Sequence, residues 1–327
     1  MWTDTLSEVL RAVRLQGAVF FDVVASAPWV EESPEAVALA RPGLRGAEHL
    51  VSYHAIAEGT CWVEAPGHPP VRLGPGDVIV LPHGDAHVLS SRPGLRSGQA
   101  PRTRRAPADV CLPLAVDVGG GGGDRVRMAC GFLGCDLRPF NPLVAALPRV
   151  LVLRDEDGGA LSLGPLVRLA LAESEARRPG AEAVLARMSE LLFLEAIRRH
   201  VERLPEDRTG WLAGLRDEHV GRALAALHAR PSAPWTLPGL AREAGLSRSA
   251  LAERFTALVG HPPMQYLAQW RLQLAAGLLA TGAKVASAAE EVGYDSEAAF
   301  SRAFKRVVGV PPSSWRERQL TASPTPP

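Results

Sequence analysis

Ala241-Arg-Glu-Ala-Gly245-Leu246-Ser247 and Ala289-Glu-Glu-Val-Gly293-Tyr294-Asp295-Ser296 are two versions of one pattern, with their glycines 48 residues apart. The likeness resumes downstream, where Leu251, Phe255, Gly260, Pro262 and Pro263 answer to Phe300, Phe304, Gly309, Pro311 and Pro312 at an offset of 49. One residue is therefore inserted between the two blocks. The repeat matches residues of special geometry as well as apolar ones, so it describes a repeated backbone path and not only a repeated composition.

Each unit reads as helix, tight turn, helix. A small residue (Ala241, Ala289) lets a second helix cross closely, and Gly245 or Gly293 can take the positive φ of a corner. Ser247 is a natural N-cap for the next helix, as is Asp295 or Ser296 in the second unit. In the first unit Leu251, Phe255 and Leu258 share the buried side, leaving Arg248, Ser249, Ala252, Glu253 and Thr256 on other sides. In the second, Phe300 and Phe304 are buried and Glu297, Ser301, Arg302, Lys305 and Arg306 are offered outward. This is a helix-turn-helix layout, whose second helix enters the DNA major groove. Between the units Met264 to Ala280 reads as one helix, about 25 Å long at 1.5 Å per residue. A strut of that length can hold two reading helices about one duplex turn, roughly 34 Å, apart.

With these motifs in hand, the segment from Trp235 to Arg316 resembles the DNA-binding domain of AraC/XylS-type transcription regulators. Leu240-Ala241-x-x-Ala244-Gly245-Leu246-Ser247, Gly260-His-Pro-Pro-Met-Gln-Tyr266-Leu, Arg271-Leu272, Phe300-Ser-Arg-Ala-Phe304-Lys-Arg and Pro311-Pro312-Ser-Ser-Trp315-Arg316 carry the likeness. The resemblance implies a DNA-facing set: Arg248, Ser249, Ala252, Glu253 and Arg254 in the first unit, and Ser296, Glu297, Ala298, Ser301 and Arg302 in the second. Lys305, Arg306 and Arg316 suit phosphate contacts, which position a protein without specifying sequence. One departure is Glu253, where the family commonly has Arg, with Arg254 placed next to it. Arg there would favour guanine, whereas Glu can accept from cytosine N4.

The 327 residues are 46% hydrophobic and 22% charged, ordinary for a globular chain of about two domains. No apolar run approaches the ~18 residues of a membrane span, and the N-terminus lacks a signal-peptide pattern. Four cysteines make no secreted disulfide framework, so a cytoplasmic location is expected. The net charge of +1 divides unevenly: residues 219–327 carry 12 Lys+Arg against 7 Asp+Glu, and the remaining residues 24 against 28. A basic C-terminal third beside an acidic remainder fits a nucleic-acid-binding domain joined to a sensor or enzyme.

Working toward the N-terminus, Pro205 to Gly210 is polar and flanked by Pro and Gly, which places a linker over 205–216 before a DNA-binding domain at 217–318 and a disordered tail at 319–327. Leu161 to Arg177 and Ala181 to Leu204 read as two helices (161–204), whose apolar sides serve packing on the preceding domain, a dimer contact, or both. Residues 1–160 alternate in short runs typical of strands, such as Val51–Ile56, Cys61–Glu64, Val71–Leu73 and Val78–Leu81. Arg92 to Arg127, with Gly119 to Gly123 in succession, reads mostly as a flexible loop, with a strand over Val110 to Val118 as an option. The expected architecture is two-domain α+β, an N-terminal β-barrel with helices and a C-terminal all-α domain with two helix-turn-helix motifs.

Gly76-Asp-Val-Ile-Val-Leu-Pro82-His-Gly84-Asp-Ala-His87 matches the second cupin motif, and His54 with Glu58-Gly59 resembles part of the first. Ser52 and Ser91 stand where the pattern has further His and Asn. With Cys130-Gly131, Asn141-Pro-Leu and Ala146-Leu-Pro148, residues 10–155 resemble the cupin-type sensor of a branch of AraC-like regulators. The resemblance makes His54, His87 and Cys130 candidates for zinc or another divalent metal, donor types that zinc accepts. His83 falls in the turn and is expected to be exposed. Cys61, Cys111, Cys130 and Cys135 are the thiols available for redox sensing. Cys61 reads as packed beside Trp62, and Cys111 lies next to an arginine-rich loop that would lower its pKa.

The leading expectation is a regulator of transcription that binds specific double-stranded DNA under a small-molecule or redox signal. The resemblance adds a homodimer and contact with RNA polymerase. The alternatives are a metal-dependent cupin enzyme fused to a DNA-binding domain and a bare nucleoid-type coat, which fits poorly with a sensor-like arm. The effector, the operator and the sign of regulation are left open.

Overall fold

The computed structural model describes residues 4–36, 49–97, 113–155, 162–205 and 208–322. In chain order these form α1 (Thr5–Ala12), β1 (Gln16–Ser26), β2 (Val30–Ser33), β3 (His49–Glu58), β4 (Cys61–Glu64), β5 (Val71–Leu73), β6 (Val78–Leu81) and β7 (His87–Ser90). Then come β8 (Leu114–Gly119), β9 (Arg125–Cys135), α2 (Pro142–Ala146), β10 (Leu151–Leu153), α3 (Leu163–Ala176) and α4 (Ala181–Glu202). The rest is helical: α5 (Trp211–Arg216), α6 (Glu218–Ala229), α7 (Leu237–Ala244), α8 (Arg248–Val259), α9 (Pro263–Ala280), α10 (Val285–Glu291), α11 (Glu297–Val308) and α12 (Pro312–Ala322).

The chain divides into two compact units. The first holds Leu15–Cys135 and Leu147–Glu202. It has a six-stranded sheet in the order β10-β6-β3-β9-β1-β8 and a four-stranded sheet in the order β2-β7-β4-β5. Among the described residues all pairings are antiparallel except β1 with β8. Both sheets contribute to one core, with Ile56, Ile79, Val126 and Met128 from the larger and Cys61, Leu73 and Leu89 from the smaller. Strand β6 is buried at all four positions, which is why Val78-Ile-Val-Leu reads as an unbroken apolar run. Helix α4 packs against β1. Ser189 gives its proton to the Leu185 carbonyl at 2.9 Å, so the Tyr53 hydroxyl donates to Ser189 at 2.6 Å. Leu169 on α3 and Val184 and Leu191 on α4 stay exposed.

The glycine run corrects the flexible-loop expectation. Gly119–Gly123 turns between β8 and β9, with Gly123 N–H donating to the Ala27 carbonyl and Ala27 N–H to the Asp124 carbonyl, both at 3.0 Å. A β-carbon on Gly121 would stand 2.4 Å from Pro28, so the run is required by close approach. Residues 98–112, much of the expected loop and the start of the optional strand, lie outside the described residues, and the strand begins at Leu114.

The second unit is not a single C-terminal block. It joins everything from Arg203 onward to the segment ending at Arg14 and to Asp136–Ala146, both of which the sequence reading assigned to residues 1–160. Arg14 donates twice to Asp136, at 2.6 and 3.0 Å. Gln273, buried in the middle of α9, accepts from Phe140 N–H at 2.9 Å and donates to the Ala12 carbonyl at 3.2 Å. Phe140 packs edge-on against Tyr266. The linker expected over 205–216 is shorter, because α5 is part of this unit. Its Trp211 is buried and donates to the Tyr266 hydroxyl at 2.8 Å. The Tyr266 hydroxyl is also hydrogen-bonded to Nε2 of buried His228, at 2.8 Å.

Candidate DNA interface and ligand cavity

The repeated pattern folds into two equivalent corners. Gly245 ends α7 at φ +70°, and Gly293 follows α10 at φ +83°, the left-handed region where glycine carries no penalty. Leu246 N–H reaches back to Ala241 and Gly245 N–H to Arg242, and Tyr294 and Gly293 make the same pair to Ala289 and Glu290. Both are Schellman-type terminations. Ser247 then caps α8 through Ala250 N–H, and Ser296 caps α11 through Ala299 N–H, each at 3.2 Å. The inserted residue sits inside the second corner, between its glycine and its serine. The equivalence extends to a third helix: Tyr266 packs on Phe255 as Trp315 packs on Phe304, with ring centroids 5.7 and 6.1 Å apart.

Between the units α9 runs for 18 residues, about 27 Å. It is the strut, and it holds the second corner directly. Arg271 donates to the carbonyls of Pro231, Gly293 and Ala233 at 2.7, 3.0 and 2.8 Å. Arg271 is visible in the sequence as part of a motif, but three carbonyl partners from two distant segments give no local signal.

Helices α8 and α11 bury Leu251 and Phe255, and Phe300, Phe304 and Val308, respectively. Arg248, Ser249, Glu253, Glu297, Arg302, Lys305 and Arg306 are exposed, while Ser301, Ala252 and Leu258 are half-buried. Four members of the expected DNA-facing set are engaged within the protein, among them Ser249, whose hydroxyl meets that of Ser247 at 3.3 Å. Arg254 donates twice to Asp217, the N-cap of α6, at 2.9 and 2.6 Å. Half-buried Arg316 donates to the Gly282 carbonyl beyond the end of α9 at 3.2 Å. Ser296 spends its hydroxyl on its cap. Among the described residues, Arg302, Lys305 and Arg306 form no ion pair, so their charge is available to an anion.

In the first unit both sheets line a half-open cavity of about 110 Å³. Phe21, Val23, Trp29, Val116, Met128 and Phe132 give it an apolar wall, and His54, Cys130, Glu31, Glu32 and Ser33 are its polar members. His54 and His87 do come together, as the cupin-like motifs suggested. They meet as a hydrogen-bonded pair, Nε2 to Nε2 at 2.7 Å. Two nitrogens bound to one tetrahedral zinc at ~2.05 Å would lie about 3.3 Å apart. Cys130 faces His54 in the β3–β9 register, but among the described residues no group of three or more His, Cys, Asp or Glu is placed to hold a metal. Glu58 points to solvent at the end of β3. The donor set therefore does not fit a metal, and the zinc expectation is withdrawn. His83 is half-buried rather than exposed, hydrogen-bonded to the Leu147 carbonyl at 3.0 Å.

Cys61 is packed, as its place beside Trp62 implied. Cys61, Cys130 and Cys135 are free and buried. Burial pushes the Cys61 thiol up to about 12 and that of Cys130 well above its ordinary value. Neither presents a thiolate near neutral pH, which is the form an oxidant meets. Cys111 lies outside the described residues.

Residues 4–202 match a family described as cupin, and residues 240–318 match a helix-turn-helix domain. An AraC-like transcription regulator from Streptomyces lividans is 34% identical over 96% of this chain and 98% of its own length. The HTH-type transcriptional regulator AlkR of Acinetobacter baylyi is 32% identical over 74% of this chain and 80% of its own. Among solved structures, the DNA-binding domain of AdpA in complex with a target DNA aligns with 34% of this chain and 99% of that one, at 27% identity and a TM-score of 0.32.

Proposed function

This chain belongs to the AraC-like transcription regulators, and from that premise we propose that it binds specific double-stranded DNA through α8 and α11 and answers to a small molecule held in its N-terminal unit. The observation that carries the DNA reading is the pair of structurally equivalent corners, each followed by a capped 12-residue helix with a charged outer face. In this reading α8 and α11 enter successive major-groove segments on one face of the duplex, joined by α9. Arg248, Ser249 and Glu253 meet base edges, Glu297, Ser301 and Arg302 meet bases or backbone, and Lys305 and Arg306 meet phosphates.

A small-molecule signal is favoured over a redox one because the unit holds an apolar cavity, while Cys61, Cys130 and Cys135 are buried and burial raises the pKa of the first two. Ligand binding would shift the population able to occupy an operator. A homodimer fits the exposed Leu169, Val184 and Leu191 on α3 and α4. RNA polymerase is the partner through which such a regulator would act, and the cytoplasm the place. No described helix is long and apolar enough to cross a membrane. The relatives matching nearly the whole chain are regulators, so the fused-enzyme alternative gains no support from them.

The test is selection of bound duplexes from a random DNA pool by the full-length protein, followed by anisotropy titrations against salt. A recovered motif with two half-elements about one turn apart, bound with a steep salt dependence, is expected. Equal binding to all sequences would overturn the reading.

A further inference from the structure

We propose that the cavity of the first unit takes a neutral, ring-sized apolar molecule carrying one hydrogen-bond donor, and that Nδ1 of His54 receives that donor. This rests on the reading that the N-terminal unit holds an effector, and it names the effector's chemistry.

Size comes first. A dry engineered cavity of about 150 Å³ accommodates benzene. At about 110 Å³ the inner part of this half-open cavity suits a single small ring. Its wall matches that occupant, since Phe21 and Phe132 meet edge to face with centroids 6.2 Å apart and Trp29 adds a third aromatic surface.

Charge narrows the class further. Glu31 and Glu32 line the cavity, and among the described residues no Lys or Arg does. Glu32 already accepts from Ser97 N–H at 2.9 Å. A carboxylate or phosphate ligand would enter a space beside negative charge without a cationic partner among the described residues, a costly arrangement.

The direction of the polar contact follows from a chain of hydrogen bonds. The Asp85 carbonyl can only accept, so His87 donates to it from Nδ1, at 2.9 Å. A neutral His87 then has only a lone pair at Nε2, and His54 must donate to it from its own Nε2 at 2.7 Å. That leaves a neutral His54 with a lone pair at Nδ1. His54 borders the cavity, its Nε2 is already committed, and its buried Nδ1 has no partner among the described residues. Burial lowers the pKa of both imidazoles, that of His54 further still because His87 adjoins it, so both are neutral at physiological pH. A backbone carbonyl at one end of the relay thus fixes the acceptor at the other. A buried acceptor left unmatched is unfavourable, and a ligand hydroxyl or N–H would satisfy it.

The test uses full-length protein and three probes of one ring: phenol, anisole and benzoate. Calorimetric titration is expected to show phenol binding about tenfold tighter than anisole, the worth of one net hydrogen bond, with benzoate weaker than both. His54→Leu should abolish the advantage of phenol over anisole while anisole still binds. Should that variant fail to fold, nitrogen-15 spectra of histidine-labelled wild-type protein give an independent reading. His54 Nδ1 should be unprotonated in the free protein, and its resonance should move with phenol but not with anisole. Equal binding of anisole or benzoate, a protonated Nδ1, or no binding of any probe at millimolar concentration would overturn the proposal. Phenol binding that depends on His54 but leaves DNA affinity unchanged would keep this proposal and remove the regulatory reading.

Discussion

Helices α8 and α11 share a fold and differ in almost everything they show to solvent. At the offset of 49, exposed Glu253 answers to Arg302, Thr256 to Lys305, Ala257 to Arg306, and Arg248 to Glu297. The buried positions, by contrast, keep their character: Leu251 and Phe255 against Phe300 and Phe304. With Arg254 held by Asp217, the outer face of α8 is close to neutral, whereas α11 presents three cations in succession. Packing constrains the inner faces to be alike, and nothing constrains the outer faces except what they touch. The difference assigns sequence reading mainly to the first helix and phosphate anchoring mainly to the second.

The corners differ as well, and here the expected effect is largest. A β-carbon on Gly293 would stand 2.5 Å from the Ser232 carbonyl oxygen, while one on Gly245 meets side chains alone, the tip of Arg222 at 3.4 Å and the His219 ring at 3.8 Å. Gly293→Ala therefore combines about 1–2 kcal/mol for left-handed backbone with an overpacking cost of about 1–3 kcal/mol. Gly245→Ala carries the first part alone. Denaturant unfolding of the two variants should separate them by at least about 1 kcal/mol, and equal losses would mean that the corners are equivalent after all.

On DNA the contrast becomes one of kind. Replacing Lys305 and Arg306 together by alanine should weaken binding alike on every sequence. It should also flatten the plot of log affinity against log salt by about 2, near 0.9 for each phosphate no longer neutralised. Glu253→Ala should leave that slope intact and relax preference at one base pair, worth about 1–3 kcal/mol of discrimination. If Glu253→Ala changes the salt slope and the double variant changes the preferred motif, the division of labour is reversed.

What could be read in advance follows the same line between local and distant causes. Glycine corners, serine caps, the aromatic repeat and the strands β3 to β7 announce themselves within a few residues. The membership of α5 does not, because Trp211 finds its reason in Tyr266, 55 positions along the chain. Nor does the placement of Asp136–Ala146 with the helical unit, which depends on Gln273 accepting from Phe140. The motif for a metal was legible at His54 and His87, yet a carbonyl at Asp85 and a 2.7 Å contact turn the same two imidazoles into a hydrogen-bond relay. Sequence patterns report which side chains converge and are silent on how their protons are distributed.

A smaller effect, at α6 where it packs on α9, depends on pH. His228, buried beside Tyr266 and Trp270, has its pKa lowered to about 3 by burial. Below about pH 6.5 the unfolded chain takes up a proton that the folded protein refuses until near pH 3. Stability therefore falls as pH drops through that window, by about 1.4 kcal/mol per unit for this group. His228→Gln should remove its share of the slope in denaturant unfolding measured at pH 7, 6 and 5. An unchanged slope would show that His228 is protonated in the folded protein.

The smallest expected change tests the premise that Arg254 is not a reader. Its guanidinium is half exposed but lies on Asp217, whose other bonds cap α6 through the N–H groups of His219 and Val220. An exposed ion pair of this kind contributes about 0.2–1 kcal/mol. Arg254→Ala should thus lower stability by no more than that and shift DNA affinity less than twofold, with Asp217 still capping its helix. Asp217→Ala should cost more, typically about 1 kcal/mol for the lost cap in addition. An Arg254→Ala variant that folds normally but loses tenfold or more in affinity would mean that the arginine leaves Asp217 for the duplex. The neutral face assigned to α8, and with it the contrast between the two helices, would then hold only for the free protein.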